Sequence, residues 1–361
     1  MNFLEGLKIG DIKTKIPIVQ GGMGVGISLS GLASAVAKEG GIGVIAAAGI
    51  GMLEPDGHSN YIEASIRRLR SEIRKAREIS DGVIGVNIMV ALSNFSDMVK
   101  TSIEEEVDVI FAGGGLPLTL PQYLKGSTGK TKLVPIISTA RVASLICKRW
   151  VEKYDYLPDA IVVEGPEAGG HLGFKQEEID NPNYSLEKLV PEVVKDVKNY
   201  EEKYNKSIPV IAAGGIYSGE DIAKVLQLGA SGVQMATRFV TTHECDAATE
   251  FKEAYINSTE NDTVIIKSPV GMPGRALTNK FIEDVNKGVK TPFKCPYHCI
   301  KTCDYQNSPY CIAITLINAQ RGKFKYGFAF AGKNAYKTNE IISVKELMEN
   351  LVSEYKNAVS Q

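Results

Sequence analysis

The sequence predicts a (β/α)8 barrel with a C-terminal Cys-rich extension, and three observations carry the barrel. Eight short runs rich in Val and Ile recur over about 240 of the 361 residues. Most end in small or polar residues just where a helical pattern begins. Glycines gather after the first, fourth, sixth and seventh runs rather than in one place. Continuous apolarity marks strands covered on both faces, as in a parallel sheet, and strands alternating with helices at this length have the rhythm of the barrel. A doubly wound open sheet is the other arrangement of the same elements, but it would concentrate its glycines at one switch point. The first unit also lacks its fingerprint, since GGMGVG does not have the G-x-G-x-x-G spacing.

In chain order the strands are expected at 16–23, 41–48, 83–90, 107–115, 133–140, 159–170, 208–215 and 231–239. Crossover helices are expected at 29–40, 59–79, 140–154, 185–204 and 218–229. The last has Ser218 as its N-cap, acids in the first turn and Gly229 just past its end. Beyond residue 260 the period stops. Residues 265–285 mix Pro and Gly without alternation, which predicts a covering loop followed by a short helix, with Arg275 meeting a surface acid. The division expected is a barrel over 1–294, including a covering segment 262–294, and the extension over 295–361.

Composition narrows the function. With 41 basic against 42 acidic residues the net charge is -1, which creates no field for nucleic acid or an anionic membrane. No run reaches the ~18 apolar residues of a membrane span, and MNFLEGLKIGD has an acid where a signal peptide has its apolar core. A cytoplasmic protein acting on small molecules is expected. Glycine is in excess, 35 residues against a usual share of ~7%.

The stretch EGPEAGGHLGF, 164–174, surrounds His171 with four glycines. Glycine supplies no side chain and costs backbone entropy, so such a setting points to a ligand approaching the backbone. After the seventh and eighth strands stand Gly214-Gly215 and Gln234-Met235-Ala236-Thr237. Loops there commonly seat a phosphate in barrels of this kind. No P-loop spacing follows, so a phosphorylated cofactor is expected rather than a nucleoside triphosphate. Glu164 and Glu167, three apart in a strand-to-loop segment, need not point the same way and are not read as an acid–base pair. His58 and His243 stand alone in polar context.

Taken together PIVQGGMG, GGIGVIAA, GVNIMV, EGPEAGGHLGF, PVIAAGGI and GVQMATRFV resemble the nitronate monooxygenase family, formerly 2-nitropropane dioxygenases. The flavin-type enoyl-acyl-carrier-protein reductases are its near relatives. The resemblance covers roughly residues 10 to 290 in the family's order. It implies a barrel that holds FMN without a covalent bond. It also implies cofactor contacts at Gln20, Gly21, Gly22, Met23, Asn87, Ser138, Glu164, Gly169 and Gly170. The phosphate would lie on Gly214, Gly215, Gln234, Met235, Ala236 and Thr237, and His171 would be the catalytic base. Nitronate monooxygenases often have Gln-Gly where this chain has Glu164-Gly165, a pair more usual in the reductases, and both groups usually have glycine at the position of Ala236. The activity implied is oxidation of a nitronate or nitroalkane with O2. NAD(P)H-dependent reduction of an enoyl thioester is the alternative, a non-catalytic flavin or metal sensor is a reading of another class, and a homodimer is the assembly allowed for.

Outside these motifs, Cys295, Cys299, Cys303 and Cys311 put four of the six cysteines within 17 residues. A helix begun at Pro296 would align Cys299 with Cys303, and Cys311 would return to complete a four-thiolate set, with His298 as a substitute ligand. Soft thiolates select zinc or an iron–sulfur cluster, although the spacing is neither the paired C-x-x-C pattern nor the ferredoxin run. A cytoplasmic location disfavours disulfides. Reduced thiols packed as small apolar groups are the competing account.

Overall fold

The computed structural model describes residues 4–291 and 293–360. Eight parallel strands close into a barrel: β1 (Ile18–Gln20), β2 (Ile42–Ala46), β3 (Val83–Met89), β4 (Val109–Gly113), β5 (Lys132–Ile137), β6 (Ile161–Glu164), β7 (Val210–Ala213) and β8 (Gly232–Met235). Pairing of β8 with β1 seals the ring. Each strand lies inside one of the eight apolar runs, except that β5 begins one residue before its run. They are mostly apolar because both faces are covered, and β2, β4 and β7 are buried at every residue. Inside the barrel pack Val19, Val44, Phe111, Val134, Val162 and Ile211. The outward residues Ile45, Val86, Ile110 and Val163 meet Leu32, Val36, Leu69, Ile73 and Val193 of the surrounding helices.

Those helices are α1 (Ser30–Lys38), α2 (Tyr61–Ile79), α3 (Phe95–Glu104), α4 (Ala140–Tyr154), α5 (Leu186–Tyr204) and α6 (Gly219–Gln227). Only α3 has no counterpart among the expected helices. A 3-10 turn, Leu120–Leu124, takes the place of a helix after β4. At α6 the Ser218 hydroxyl accepts the Asp221 N–H at 3.3 Å while the Asp221 carboxylate accepts the Ser218 N–H at 3.0 Å. Gly229, at φ +101°, lets the chain leave. A two-residue hairpin pairs Lys8–Ile9 with Ile12–Lys13, and Leu7 and Ile9 join the interior cluster near the start of β8. This plugs the N-terminal end of the barrel and leaves the C-terminal end for a site.

The eighth helical position is filled late in the chain. Helix α11 (Val344–Ser360) lies against α6 and α1, burying Val344, Leu347, Met348 and Leu351 in the same apolar body as the other helices. The Gly219 N–H also donates to the Glu354 carboxylate at 2.7 Å. Between β8 and α11, residues 236–343 fold over the mouth of the barrel as α7 (Thr237–Val240), α8 (Thr249–Ile256), α9 (Lys280–Asn286), α10 (Ile312–Gln320) and a β-hairpin.

That hairpin corrects the covering loop expected at 265–285. Strand β9 (Thr263–Lys267) pairs antiparallel with β10 (Pro273–Leu277), and only the short helix, α9, follows as expected. The turn closes through the Ser268 N–H on the Met272 carbonyl at 3.2 Å and the Gly271 N–H on the Ser268 carbonyl at 3.0 Å. Arg275 is corrected as well. It is 7% exposed and donates to the Pro166 carbonyl at 2.9 Å, because β10 carries it under the sixth-strand loop instead of onto the surface. No helix begins at Pro296. The chain from 293 to 311 is irregular, and Cys311 is the N-cap residue of α10. Among the described residues no helix is long and apolar enough to cross a membrane.

Candidate active site

His171 is held by the covering hairpin. It belongs to a two-residue strand, Gly170–His171, that pairs with β10 through Gly274 opposite His171 and Arg275 opposite Gly170. Its Nε2 lies 2.7 Å from Ser268 Oγ, which also accepts the Val270 N–H at 3.4 Å. The imidazole stands edge-on to Phe330, with ring centroids 4.9 Å apart. Burial disfavours the charged ring and pushes the His171 pKa down to about 4, so the imidazole is neutral at ordinary pH. Nearby, at the end of β6, burial pushes the Glu164 carboxyl up to about 7.

Both side chains open on a cavity of about 300 Å³ at the C-terminal end of the barrel. Its wall brings together Gly21, Gly22, Met23, Asn87, Glu164, Gly169, Gly170, His171, Gly214, Gly215, Gln234, Met235, Ala236 and Thr237. Gln20 and Ser138 do not reach it. The Gln20 amide is committed to the Gly21 carbonyl at 2.5 Å and the Val44 N–H at 2.9 Å, and Ser138 Oγ sits under Gly173. Glu167 turns to Lys333 at 2.7 Å and makes no pair with Glu164.

Two glycines show why the floor is bare. Gly214 has φ +93°, and a Cβ there would stand 2.8 Å from the Gly165 carbonyl oxygen. At Gly169 a Cβ would meet the Ala331 carbonyl carbon at 2.5 Å. Neither backbone neighbour can move aside as a flexible side chain could.

Several wall residues have no sequence signal. Met52, Met89, Leu92, Ile300, Leu316 and Phe330 give the cavity an apolar side, Cys299 reaches it from the extension, and Gly332 lies against Thr237. Apart from Met89, which ends β3, they come from loops and from the cover, where no period marks a residue as facing inward. A larger cavity of about 510 Å³ lies behind β9, between α9 and residues 304–310. No barrel strand ends there, so it lacks the features of the barrel's site.

The family model for nitronate monooxygenase matches residues 6–354 of the chain. The chain belongs to the nitronate monooxygenase family. It is 30% identical over 303 residues to a probable nitronate monooxygenase of Staphylococcus aureus, covering 76% of this chain and 79% of that protein. Among solved structures, FabK from Thermotoga maritima is 30% identical with a TM-score of 0.74, over 96% of this chain and 94% of that one. A nitroalkane oxidase from Streptomyces ansochromogenes has the same fold, at 23% identity and a TM-score of 0.73, over 96% and 97% of the two chains. Membership makes the chain an enzyme, an oxidoreductase of a flavin-dependent family. Within that family, the cavity beside His171 is where the substrate and cofactor chemistry must be sought.

Proposed function

We propose that the chain is an FMN-dependent nitronate monooxygenase that oxidises alkyl nitronates, and nitroalkanes after deprotonation, with O2 in the cytoplasm. The observation that carries this reading is His171, a neutral imidazole held by Ser268 at the rim of a glycine-floored cavity. The residues fit FMN. Gly214 and Gly215 offer bare backbone, and Ala236 and Thr237 small side chains, where a phosphate would lie. Gly21 and Gly22 follow β1, which adjoins β8, and Asn87 lies on β3; there they would meet the ring.

FMN, when bound, supplies the redox chemistry. The chain has to orient a small substrate and manage one proton. A neutral nitroalkane has a weakly acidic carbon, and His171 Nδ1, the ring nitrogen not bonded to Ser268, accepts its proton, since the ring is uncharged over the working range. Ser268 fixes the plane of the ring through its 2.7 Å contact. The apolar side of the cavity accommodates an alkyl group and keeps bulk water from the carbanion. Ser268→Ala should retain flavin and lower kcat on nitroalkane by about 2- to 10-fold with KM little changed, the scale of one hydrogen bond. Steady-state kinetics on the flavin-loaded variant check this, and an unchanged kcat would remove Ser268 from the positioning of His171.

A second reading, reduction of an enoyl thioester with NAD(P)H, is favoured by Glu164-Gly165 and by the likeness to FabK. Anaerobic reduction separates the two. A nitronate should bleach the flavin without added nicotinamide. Bleaching by NADH or NADPH, reoxidation by a crotonyl thioester and indifference to nitronate would establish the reductase instead. The protein should also purify yellow and release FMN, not FAD, on denaturation, because the cavity has one phosphate seat.

A further inference from the structure

Residues 287–291 and 293–311 connect α9 to α10, and among these described residues there is no helix or strand. Connections longer than ~12–15 residues without secondary structure are uncommon in a compact fold, and something must replace the missing backbone ladder. Few bonds tie this strap down. The Ser93 N–H donates to the Cys299 carbonyl at 3.0 Å, the Lys301 N–H to the Ala91 carbonyl at 2.9 Å and the Thr291 N–H to the Pro309 carbonyl at 2.8 Å. What the strap does have is cysteine.

All four of its thiols are reduced and unbridged. Cys299 and Cys311 pack in one apolar cluster with Tyr61 and Tyr297, and Cys299 also lines the wall of the flavin-family cavity. Every one of the six pairs among Cys295, Cys299, Cys303 and Cys311 is near enough for one thiolate's charge to act on the other thiol. The four sulfurs are neighbours on a loop otherwise tied down by Thr302 Oγ1 on the Val270 carbonyl and by the packing of Tyr297 on Tyr61. His298 adds two marks. It takes φ +43°, a strained conformation for a non-glycine residue, and with its backbone so bent its N–H donates to Cys295 Sγ at 3.3 Å. Backbone N–H groups aimed at cysteine sulfur are a feature of metal–thiolate sites, where they stabilise charge on the ligand.

Single-ion and cluster chemistry ask for different arrangements of thiols. At a Zn–S distance of about 2.3 Å, tetrahedral geometry draws four sulfurs to about 3.8 Å of one another. Among the described residues no group of three or more His, Cys, Asp or Glu is set to hold a metal ion. A four-iron cluster bonds each thiolate to a different iron, so its four sulfurs stand wider apart around a larger centre. A cluster can therefore be held by neighbouring thiols that do not meet at one point.

We propose that Cys295, Cys299, Cys303 and Cys311 bind a four-iron iron–sulfur cluster that organises the strap and sits against the wall of the flavin cavity through Cys299. The expected helix from Pro296 is not needed for this ligand set, because the strap reaches the same convergence as an irregular loop. The site is separate from His171, and its test does not depend on the substrate.

The full chain purified without oxygen, or reconstituted with ferrous iron and sulfide, should contain about four iron and four acid-labile sulfide per chain. It should show broad visible absorbance beyond that of its flavin, and dithionite should produce the electron paramagnetic resonance signal of a reduced cluster. Cys295→Ala with Cys303→Ala, at the two more accessible positions, should lose that iron and signal. Circular dichroism confirms that the variant is folded. Zinc without sulfide, or less than a tenth of an equivalent of iron after reconstitution, would overturn the cluster. So would equal iron in wild type and variant. Because the wild-type measurement suffices to overturn it, a variant that fails to fold does not protect the proposal.

Discussion

His171→Ala is expected to purify with its flavin and to lose about 10² or more of its turnover on a neutral nitroalkane, the scale of losing a general base. Preformed nitronate has already given up the proton, so its turnover should fall much less. The ratio of the two losses is the measurement, taken by steady-state kinetics on flavin-loaded protein, and equal losses would reassign His171 to binding. The pH profile supplies an independent check. Burial lowers the pKa of this ring to about 4, so the basic form persists to lower pH than an unperturbed histidine at ~6.5 would allow. In wild type, kcat/KM for nitroalkane should therefore hold as pH falls from 7 toward about 5, and decline only as pH approaches about 4. A decline centred near ~6.5 would mean that the ring is not desolvated in the working enzyme.

Gly214→Val should abolish flavin binding altogether. Its backbone sits at φ +93°, which a β-branched residue adopts only with strain, and its Cβ would stand 2.8 Å from the Gly165 carbonyl oxygen. The Cβ would also press on the Gly165 and Ala168 backbone nitrogens at 3.1 and 3.2 Å, so the loop after β6 that forms part of the cavity wall would have to shift. The variant is expected to purify colourless, with flavin below a tenth of an equivalent after denaturation and a far-ultraviolet circular dichroism spectrum like that of wild type. Ser138→Ala, outside the cavity wall, is the control and should stay yellow. A yellow Gly214→Val protein with bound FMN would move the phosphate elsewhere.

The barrel was legible because each strand is covered on both faces, so that IGVIA of β2 or VIAA of β7 reads as an unbroken apolar run. The N-terminal plug was not, since two-residue strands such as Lys8–Ile9 are too short to show a period. Pro269, Gly271 and Pro273 made the covering hairpin read as a loop, although they form its turn and the start of β10. His171 announced itself through its glycines. Its partner Ser268 lies 97 residues away, and nothing local to either residue predicts that a hairpin will bring them together. Arg275 was misplaced for the same reason: burial in this cover is decided by which strand pairs with Gly170, not by the neighbours of Arg275 in the chain. The cysteines were visible as a group. The shape of the strap that carries them was not, because a loop of that length has no repeat to read.

The late arrival of α11 bears on how the protein is made. A nascent chain that has just completed β8 possesses every strand of the barrel, yet the groove between α6 and α1 still exposes the apolar outer faces that Leu347, Met348 and Leu351 will cover. Synthesis proceeds at roughly 5–20 residues per second, so the hundred-odd residues from β8 to the start of α11 hold that groove open for about 5–20 seconds. During that time it is a hydrophobic binding site for chaperones and for other unfinished chains. Sealing it waits for the final helix to leave the ribosome, long after the sheet is complete.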